Sequence, residues 1–260
     1  MNLEFDGSHI AITAGASGIG YAIAQAFVER GAVVHVCDLD EGRIAEINSE
    51  NSALRGYVAN VGSYSEVASF MARVRAQTDK LDVLVNNAGI AGPTARVEDI
   101  EGKDWDETIK VNLNGAFYTT RAAVPLLRAN GGGSIINIAS SAAFHGYPFR
   151  SPYAASKWAL IGFTKTLAME LGPVGIRVNA ICPGSVKGPR IDSVIRKEAK
   201  LRELHSDQVR QGYERQVSMR SFVDTNDIAQ TILFLSSKNG AMISGQALGV
   251  DGHTETLTNY

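Results

Sequence analysis

The chain has 260 residues, of which 45% are hydrophobic and 20% charged, and its formal net charge is −2. A chain of this size can bury a large core, and α/β folds often use such a length as one unit. The near-neutral charge argues against a nucleic acid or a membrane surface as partner, and no apolar run approaches the roughly 18 residues of a membrane span. The N-terminal segment lacks the apolar core of a secretion signal, and Cys37 and Cys182 form no disulfide or metal-binding pattern. We therefore expect a cytoplasmic protein without a metal site.

Strand-like and helix-like segments alternate along the whole chain. This alternation is typical of a parallel sheet with helices on both faces. The sequence therefore predicts an α/β fold, a Rossmann-like doubly wound sheet that forms a single domain over residues 1–260. Strands are predicted at 9–13, 33–38, 54–59, 81–89, 131–140, 175–184 and 243–252. Helices are predicted at 21–31, 40–50, 63–78 with a capping box at Ser63 and Glu66, about 104–129, 152–171, within 187–220, and 224–237 with an Asp224 cap.

The first predicted strand leads into a glycine-rich turn that opens a helix. Gly15, Gly18 and Gly20 let backbone N–H groups approach a pyrophosphate, which the helix N-terminus also favours. Asp38 ends the second strand, where a carboxylate can accept hydrogen bonds from ribose hydroxyls and repels a 2′-phosphate. No Lys or Arg stands in the turn or directly after Asp38, and Arg43 is the nearest. The pattern favours NAD over NADP, although Asp38 could instead cap a helix.

A second chemical signal is the pair Tyr153 and Lys157, which are four residues apart. On a helix this spacing puts them on one face, one turn apart, and Pro152 suits the first turn of that helix. A phenol has a pKa of about 10 in water, and a nearby ammonium lowers it. The pair is therefore a candidate device for proton transfer.

Taken in order, these segments resemble the motifs of the short-chain dehydrogenase/reductase family over nearly the whole chain. The resemblance implies a nicotinamide-dependent oxidoreductase, homo-oligomeric and often tetrameric, with an Asn–Ser–Tyr–Lys tetrad. The segments that carry it are TAGASGIG (13–20), Asp38, NNAG (86–89), Asn112 in VNLNG, Ser140, YAASK (153–157), PGSV (183–186) and VDG (250–252).

The resemblance also implies roles for individual residues. Tyr153 would be the general base for alcohol oxidation and the general acid for ketone reduction. Ser140 would hydrogen-bond the substrate oxygen. Lys157 would hold the nicotinamide ribose and lower the pKa of Tyr153, and Asn112 would order a water in a proton relay, acting through its backbone as much as its side chain. The implied NAD-binding residues are Ala14, Gly15, Ser17, Gly18, Ile19, Gly20, Asp38, Leu39, Asn60, Val61, Asn87, Ala88, Gly89, Tyr153, Lys157, Pro183, Gly184 and Val186.

Three positions bear on how closely the chain follows the family. Ala14 stands where the family has its first glycine, and a methyl group there is tolerable if φ is negative. Asn60 stands where the family commonly has Asp, and its uncharged amide can still accept a hydrogen bond from adenine. Ser141 adjoins Ser140, and successive residues of an extended segment point to opposite faces, so only one of the two is expected to reach the substrate.

The substrate is expected to bind under the segment that follows the sixth strand, at about 187–220. We refer to this segment as the lid. It carries nine Lys or Arg against five Asp or Glu. An anionic or strongly polar substrate would use such cations, although charge runs are more often solvated helix faces. The predicted substrate residues are Ser140, His145, Tyr147, Arg150, Tyr153, Lys187 and Arg190.

The residues together predict an NAD-dependent enzyme that moves a hydride between nicotinamide and a secondary alcohol or ketone. The substrate is expected to be a small polar, sugar-like or anionic molecule. One alternative is a 3-oxoacyl thioester reductase, against which Asp38 argues because such reductases commonly use NADPH. An alternative of another class is a catalytically silent protein that senses the dinucleotide. Beyond a small-molecule substrate and further copies of the chain, no partner is predicted.

Overall fold

A computed structural model describes residues 5–50 and 52–257, which form one parallel sheet of seven strands with helices on both faces. The order across the sheet is β3-β2-β1-β4-β5-β6-β7. The predicted α/β doubly wound fold is therefore confirmed. The strands are β1 (His9–Thr13), β2 (Val33–Asp38), β3 (Leu54–Val58), β4 (Val83–Asn86), β5 (Gly133–Ile138), β6 (Ile176–Pro183) and β7 (Ala247–Val250).

Nine α-helices occur in the described part of the chain, close to their predicted positions. The lid forms two of them, joined by a short turn. The helices are α1 (Gly18–Val28), α2 (Glu41–Glu50), α3 (Tyr64–Arg75), α4 (Gly102–Ile109), α5 (Gly115–Ala129), α6 (Ser151–Leu171), α7 (Pro189–Leu201), α8 (Ser206–Arg215) and α9 (Thr225–Ser236).

Alternate residues of the central strand β1 belong to two different cores. Ile10 and Ile12 pack in a core shared with α1 and α9, whereas Ala11 packs in a core shared with α3 and α5. Successive side chains of a strand point to opposite faces, and both faces of a parallel sheet are covered. The continuous apolar runs of the strands are explained by this burial on both sides.

The segment predicted as one helix at about 104–129 is interrupted. Residues Lys110–Asn114 form a π-helical turn between α4 and α5. π-Turns are single-turn bulges that occur frequently at functional sites, and the apolar periodicity on either side does not reveal them.

The helix caps follow the sequence in part. Asp224 and Asp227 form a full capping box at α9. At α3 the Ser63 hydroxyl accepts from the Glu66 N–H, but the Glu66 carboxylate accepts from the N–H of Asn60 instead of completing a box.

Two features of the fold prepare a ligand site. The chain winds outward in both directions from the β1–β4 pair, and in such sheets ligands bind at this switch point, beyond the carboxyl ends of the strands. In the part of the chain that the structure describes, no helix combines the length and apolarity that crossing a bilayer requires.

Candidate active site

A cleft of about 500 Å³ lies beyond the carboxyl ends of the strands. It runs from the glycine-rich turn to the first helix of the lid, so the predicted cofactor and substrate ends share one cavity. Its lining includes Ala14, Ser17, Gly18, Ile19, Asp38, Asn87, Gly89, Ser140, Tyr147, Arg150, Tyr153, Lys157, Pro183, Gly184, Val186, Lys187 and Arg190.

The glycine-rich turn is held tightly against its neighbours. A Cβ added to Gly20 would lie 2.1 Å from the Ala14 carbonyl oxygen, and one on Gly15 would lie 2.5 Å from Val36. Asn87 reaches across from β4 and donates to the carbonyls of Thr13 and Ala14, at 3.1 and 2.9 Å. These two glycines are needed for backbone packing, and both lie behind the cleft surface.

Ala14 departs from the expectation of a negative φ, because its φ is +51°. Only glycine adopts this left-handed region without a steric cost. The carbonyl of Ala14 must face Gly20 and Asn87 for the turn to close, and this requirement sets the backbone angle.

Asp38 connects the second strand to the turn and does not cap a helix. Its Oδ2 accepts from the N–H of Ala16 at 3.1 Å, and its Oδ1 accepts from that of Leu39 at 2.7 Å. The neighbouring Asp40 takes the capping position, since its Oδ1 accepts from the N–H of Arg43 at the start of α2. The half-buried Asp38 carboxylate faces the cleft, where it can accept from ribose hydroxyls.

The residues around the turn fit a dinucleotide. No side chain caps α1 at Ser17, and the first turn of α1 carries no acidic residue, so its N–H groups and its partial positive charge face the cleft. A pyrophosphate needs these donors, and a ribose needs the Asp38 carboxylate. Arg43 lies near the same end, but its guanidinium pairs with Glu46 at 2.6 Å.

Tyr153 and Lys157 lie one turn apart in the first part of α6, as the spacing predicts. Burial by itself would raise the pKa of the Tyr153 phenol, but the Lys157 ammonium and then Arg190 draw it down. With smaller contributions from Ser140 and Arg150, the pKa of Tyr153 lies below its ordinary value. The phenol is thereby a stronger acid than a tyrosine in water, which suits it to proton transfer.

Lys157 is 3% exposed, and its Nζ donates to the carbonyl oxygen of Ile138 at 2.8 Å. Burial lowers the pKa of Lys157 to about 8, an effect that Tyr153 partly offsets. An ammonium carries three N–H groups, so Nζ has two more donors for a bound molecule.

Asn112 lies in the π-turn, behind Lys157. Gly89 lies between the two side chains: a Cβ added to it would lie 3.2 Å from the Asn112 Oδ1 and 3.3 Å from the Lys157 Nζ. The Asn112 side chain bonds both the N–H and the carbonyl of Ile90 and donates to Ser156. The side chain of Asn112 thus fixes the loop after β4, and it does not line the cleft.

Both serines after β5 line the cleft, and the prediction that only one of them reaches the substrate stays a prediction. A 3₁₀ turn at Ser141–Ala143 follows directly, so the extended alternation ends at Ser140. The two differ in their effect on Tyr153: the Ser140 side chain helps to lower the pKa of the phenol, and its Oγ accepts from the N–H of Ala142. Ser140 is therefore the better candidate to act with Tyr153.

Some predicted residues lie away from the cleft lining. Leu39 is 65% exposed, Val61 packs against Gly115, and the Asn60 oxygen accepts from the N–H of Gly62. Ala88 joins the core under α3 and α5 and donates its N–H to the Thr13 hydroxyl. His145 follows the 3₁₀ turn in a segment that bulges toward solvent, with exposed residues on both sides.

The lining also contains residues that the sequence did not single out. Tyr213 comes from α8, and Leu257 comes from a C-terminal segment that folds back onto its own chain. Tyr213 and Leu257 reach the cleft only because the lid and the C-terminal segment fold back over it. The local sequence around each residue does not indicate this folding. The other members of this group are Ile138, Ala139, Ser185, Gly188, Pro189, Ile191, Val194 and Thr225.

Only two of the nine lid cations, Lys187 and Arg190, line the cleft. Both are exposed, and Arg190 donates to the Gly89 carbonyl at 3.0 Å and so spans the cleft mouth. Others are used within the lid, since Arg202 pairs with Glu198 and Arg210 pairs with Asp192.

Comparison with known proteins places this arrangement in a family. A family model described as enoyl-(acyl carrier protein) reductase matches residues 13–253. The trans-4-hydroxycyclohexanecarboxylate dehydrogenase of Sinomonas cyclohexanicum is 39% identical over 251 residues, which cover 93% of this chain and 90% of that protein. The chain belongs to the short-chain dehydrogenase/reductase family.

Two further relatives show the breadth of this family. The 3-oxoacyl-[acyl-carrier-protein] reductase of Thermotoga maritima is 34% identical over 254 residues, which cover 96% of this chain and 98% of that protein. A crystal structure of NAD⁺-bound xylitol dehydrogenase superposes with a TM-score of 0.91 at 29% identity, covering 96% of this chain and 99% of that one. The chain is thus an oxidoreductase of the type that interconverts alcohols and ketones with a nicotinamide cofactor.

Proposed function

We propose that this oxidoreductase is an NAD-dependent dehydrogenase of small secondary alcohols and that Asn112, Ser140, Tyr153 and Lys157 are its catalytic residues. The observation that carries the proposal is the buried Lys157 ammonium one helical turn from the cleft-facing Tyr153 phenol, whose pKa it lowers, with Ser140 lining the same cleft. These groups lie in the same cleft as the Asp38 carboxylate and the uncapped start of α1.

The residues divide the reaction between them. In alcohol oxidation the Tyr153 phenolate takes the hydroxyl proton, while Ser140 donates a hydrogen bond to the substrate oxygen. The carbon loses a hydride, and bound NAD supplies its acceptor. Lys157 would hold the cofactor ribose with its two remaining N–H groups, and it lowers the pKa of the phenol, while Asn112 fixes the loop that faces it. In ketone reduction Tyr153 returns the proton to the oxygen.

NAD is preferred over NADP in this proposal because of Asp38. A 2′-phosphate would approach a carboxylate, and Arg43, the nearest cation to Asp38 along the chain, is already paired with Glu46. The NAD⁺-bound xylitol dehydrogenase with the same fold is consistent with this preference.

The proposal extends to assembly and location. A homotetramer is expected for a member of this family, and the chain is proposed to act as one domain with its lid at 187–220. A cytoplasmic location agrees with two cysteines that are buried and unpaired in the described structure.

The alternative of a 3-oxoacyl thioester reductase is supported by the relative from Thermotoga maritima. A screen decides between the two: the protein is mixed with NAD and secondary alcohols, sugars or hydroxy acids, and separately with NADPH and an acetoacetyl thioester, and absorbance of the reduced cofactor is followed. Turnover with NAD and a small alcohol supports the proposal. Efficient reduction of the thioester by NADPH alone would contradict it.

A further inference from the structure

An arginine with unsatisfied donors lies beside the reactive tyrosine. Arg150, the residue before α6, is 3% exposed, and its guanidinium carbon is 5.1 Å from the ring centroids of both Tyr147 and Tyr153. Its Nη2 donates to the Ala91 carbonyl at 2.8 Å. Its Nε and Nη1 are buried and have no hydrogen-bond partner among the described residues. Arg150 itself lines the cleft, and its guanidinium packs on the ring of Tyr153.

A buried guanidinium without a counter-ion is costly, because it remains protonated and loses its hydration. Contact with two aromatic rings offsets part of this cost. No carboxylate among the described residues pairs with Arg150, whereas the surface cations Arg43, Lys103 and Lys110 all have one. A bound anion would therefore stabilise this buried charge, for which the described residues provide no counter-ion.

The buried acid Glu198 is bonded to a tyrosine and forms no ion pair with Arg150 in the described structure. The Glu198 Oε2 accepts from the Tyr213 hydroxyl at 2.7 Å, and Tyr213 shares a 2.8 Å hydrogen bond with Tyr147. Burial raises the pKa of Tyr147 and of Tyr213, so both hydroxyls stay neutral. The carboxylate lies behind this pair, and the substrate end of the cleft keeps its positive charge.

The guanidinium still offers the geometry that an oxyanion requires. Nη2 carries two hydrogens, one parallel to the Nε–H and one parallel to an Nη1–H. One of these two hydrogens is donated to the Ala91 carbonyl. The other still forms, with its parallel neighbour on Nε or Nη1, a fork of two free N–H groups. Such a fork matches two oxygens of a carboxylate or a sulfonate. Val194 and Ile191 from α7 line the same end of the cleft and can cover an apolar body.

We infer that the substrate is a secondary alcohol that carries an oxyanion group, which Arg150 binds through its free N–H fork while the hydroxyl lies at Tyr153 and Ser140. This inference rests on the proposed function and narrows its substrate class. It also places the anion at a buried cation in preference to the exposed lid cations Lys187 and Arg190, because exposed charges are screened and contribute little.

The test pairs each hydroxy acid with its neutral carboxamide, using 4-hydroxycyclohexanecarboxylate and 3-hydroxybutyrate, with a hydroxyalkyl sulfonate as a third anion. Wild-type protein is expected to favour one of these anions over its neutral analogue on the order of a hundredfold in kcat/KM. Arg150→Gln should abolish the preference mainly through KM for the anion. Arg150→Lys, which keeps the charge but not the fork, should retain part of it. Arg196→Gln, which removes an exposed lid cation outside the cleft, should retain all of it.

Several outcomes would overturn the inference. One is equal turnover of anionic and neutral substrates by the wild type. Another is an Arg150→Gln variant that loses both substrates equally while its pH profile shifts, which would mean that Arg150 only adjusts Tyr153. If Arg150→Gln fails to fold, as judged by its thermal melt, the Lys variant gives the answer, because an unchanged preference there would contradict the fork.

A binding measurement separates this inference from the proposed function. Cyclohexanecarboxylate, cyclohexanesulfonate, butyrate and their neutral amides, none of which can be oxidised at a hydroxyl, are titrated by calorimetry into protein with NAD. Anion binding that Arg150→Gln removes supports the inference even if every alcohol fails to reduce NAD, which would contradict only the proposed function. Absence of anion-selective binding, with alcohol oxidation intact, would contradict only the inference.

Discussion

The two ends of the cleft are built in different ways. At the proposed cofactor end, backbone groups form much of the site: the turn closes around Gly20, and the uncapped start of α1 faces the cavity. At the substrate end, long side chains converge from distant segments, as Arg150 and Tyr213 do. Backbone geometry requires particular residues at fixed spacing, whereas side chains can reach one point from many positions. The cofactor end is therefore visible in the sequence, and the substrate end is visible only in the fold.

Lys157 lies where the two ends meet, so its loss should have the largest effect. Lys157→Met removes a ribose donor and the cation that lowers the pKa of Tyr153. We expect kcat to fall by about a thousandfold, a loss typical of disrupted acid–base catalysis. Steady-state kinetics with NAD and the best alcohol of the screen measure this loss. A variant within a few-fold of the wild type would show that the two ends are independent.

The pH profile of the same variant sharpens this point. Alcohol oxidation needs the phenolate, so the rate should be high above the pKa of Tyr153 and fall as pH drops through it. Because that pKa lies below its ordinary value in the intact site, the wild-type rate should fall to half its maximum at a pH below 10. Without the Lys157 cation this half-maximal pH should rise by about one unit or more. An unchanged half-maximal pH in the variant would mean that the ionisation belongs to a group other than Tyr153.

Ser140→Ala affects the substrate end alone. Removal of a preorganised donor to the developing charge should lower kcat by about a hundredfold, with NAD binding unchanged. Ser141→Ala is the matched comparison, since it removes the neighbouring hydroxyl of the same cleft and should change kcat far less. Equal losses in the two variants would contradict the assignment of Ser140, and weaker NAD binding would show that the two ends are coupled.

Asp38→Ser affects the cofactor end alone and should have the smallest effect on kcat. Loss of a charged acceptor should raise KM for NAD about tenfold or more and narrow the preference over NADP. The control is Asp40→Ser, which removes a nearby carboxylate that caps α2 and does not line the cleft. Kinetics with both cofactors measure the change. An unaltered preference in the Asp38 variant would remove the basis for proposing NAD.

The same contrast explains what the sequence could predict. Strand positions followed from apolar runs buried on both faces, and Asp38 and the Tyr153–Lys157 pair followed from spacing along regular elements. The positive φ of Ala14 could not be predicted from the sequence, because the close approach of Gly20 and Asn87 sets that angle. The π-turn at Asn112 could not be predicted either, because it does not alter the helical periodicity of the apolar residues.

At the substrate end, even correct predictions lacked the decisive contact. Arg150 was expected to face the pocket, yet its unsatisfied nitrogens depend on the placement of Ala91 and of the two tyrosine rings. Leu257 enters the cleft from the C-terminal segment, where the local sequence is polar and gives no signal. Contacts between segments far apart in the chain decide these features.

The most direct test of the account is Tyr153→Phe, with NAD binding and NADH formation measured on the same preparation. The substitution removes one oxygen and keeps the ring against which Arg150 packs. If Tyr153 transfers the proton, NADH formation should fall by about a thousandfold or more, while the Kd for NAD stays within a few-fold of the wild type. A variant that binds NAD and still oxidises the alcohol at the wild-type rate would contradict the proposed mechanism.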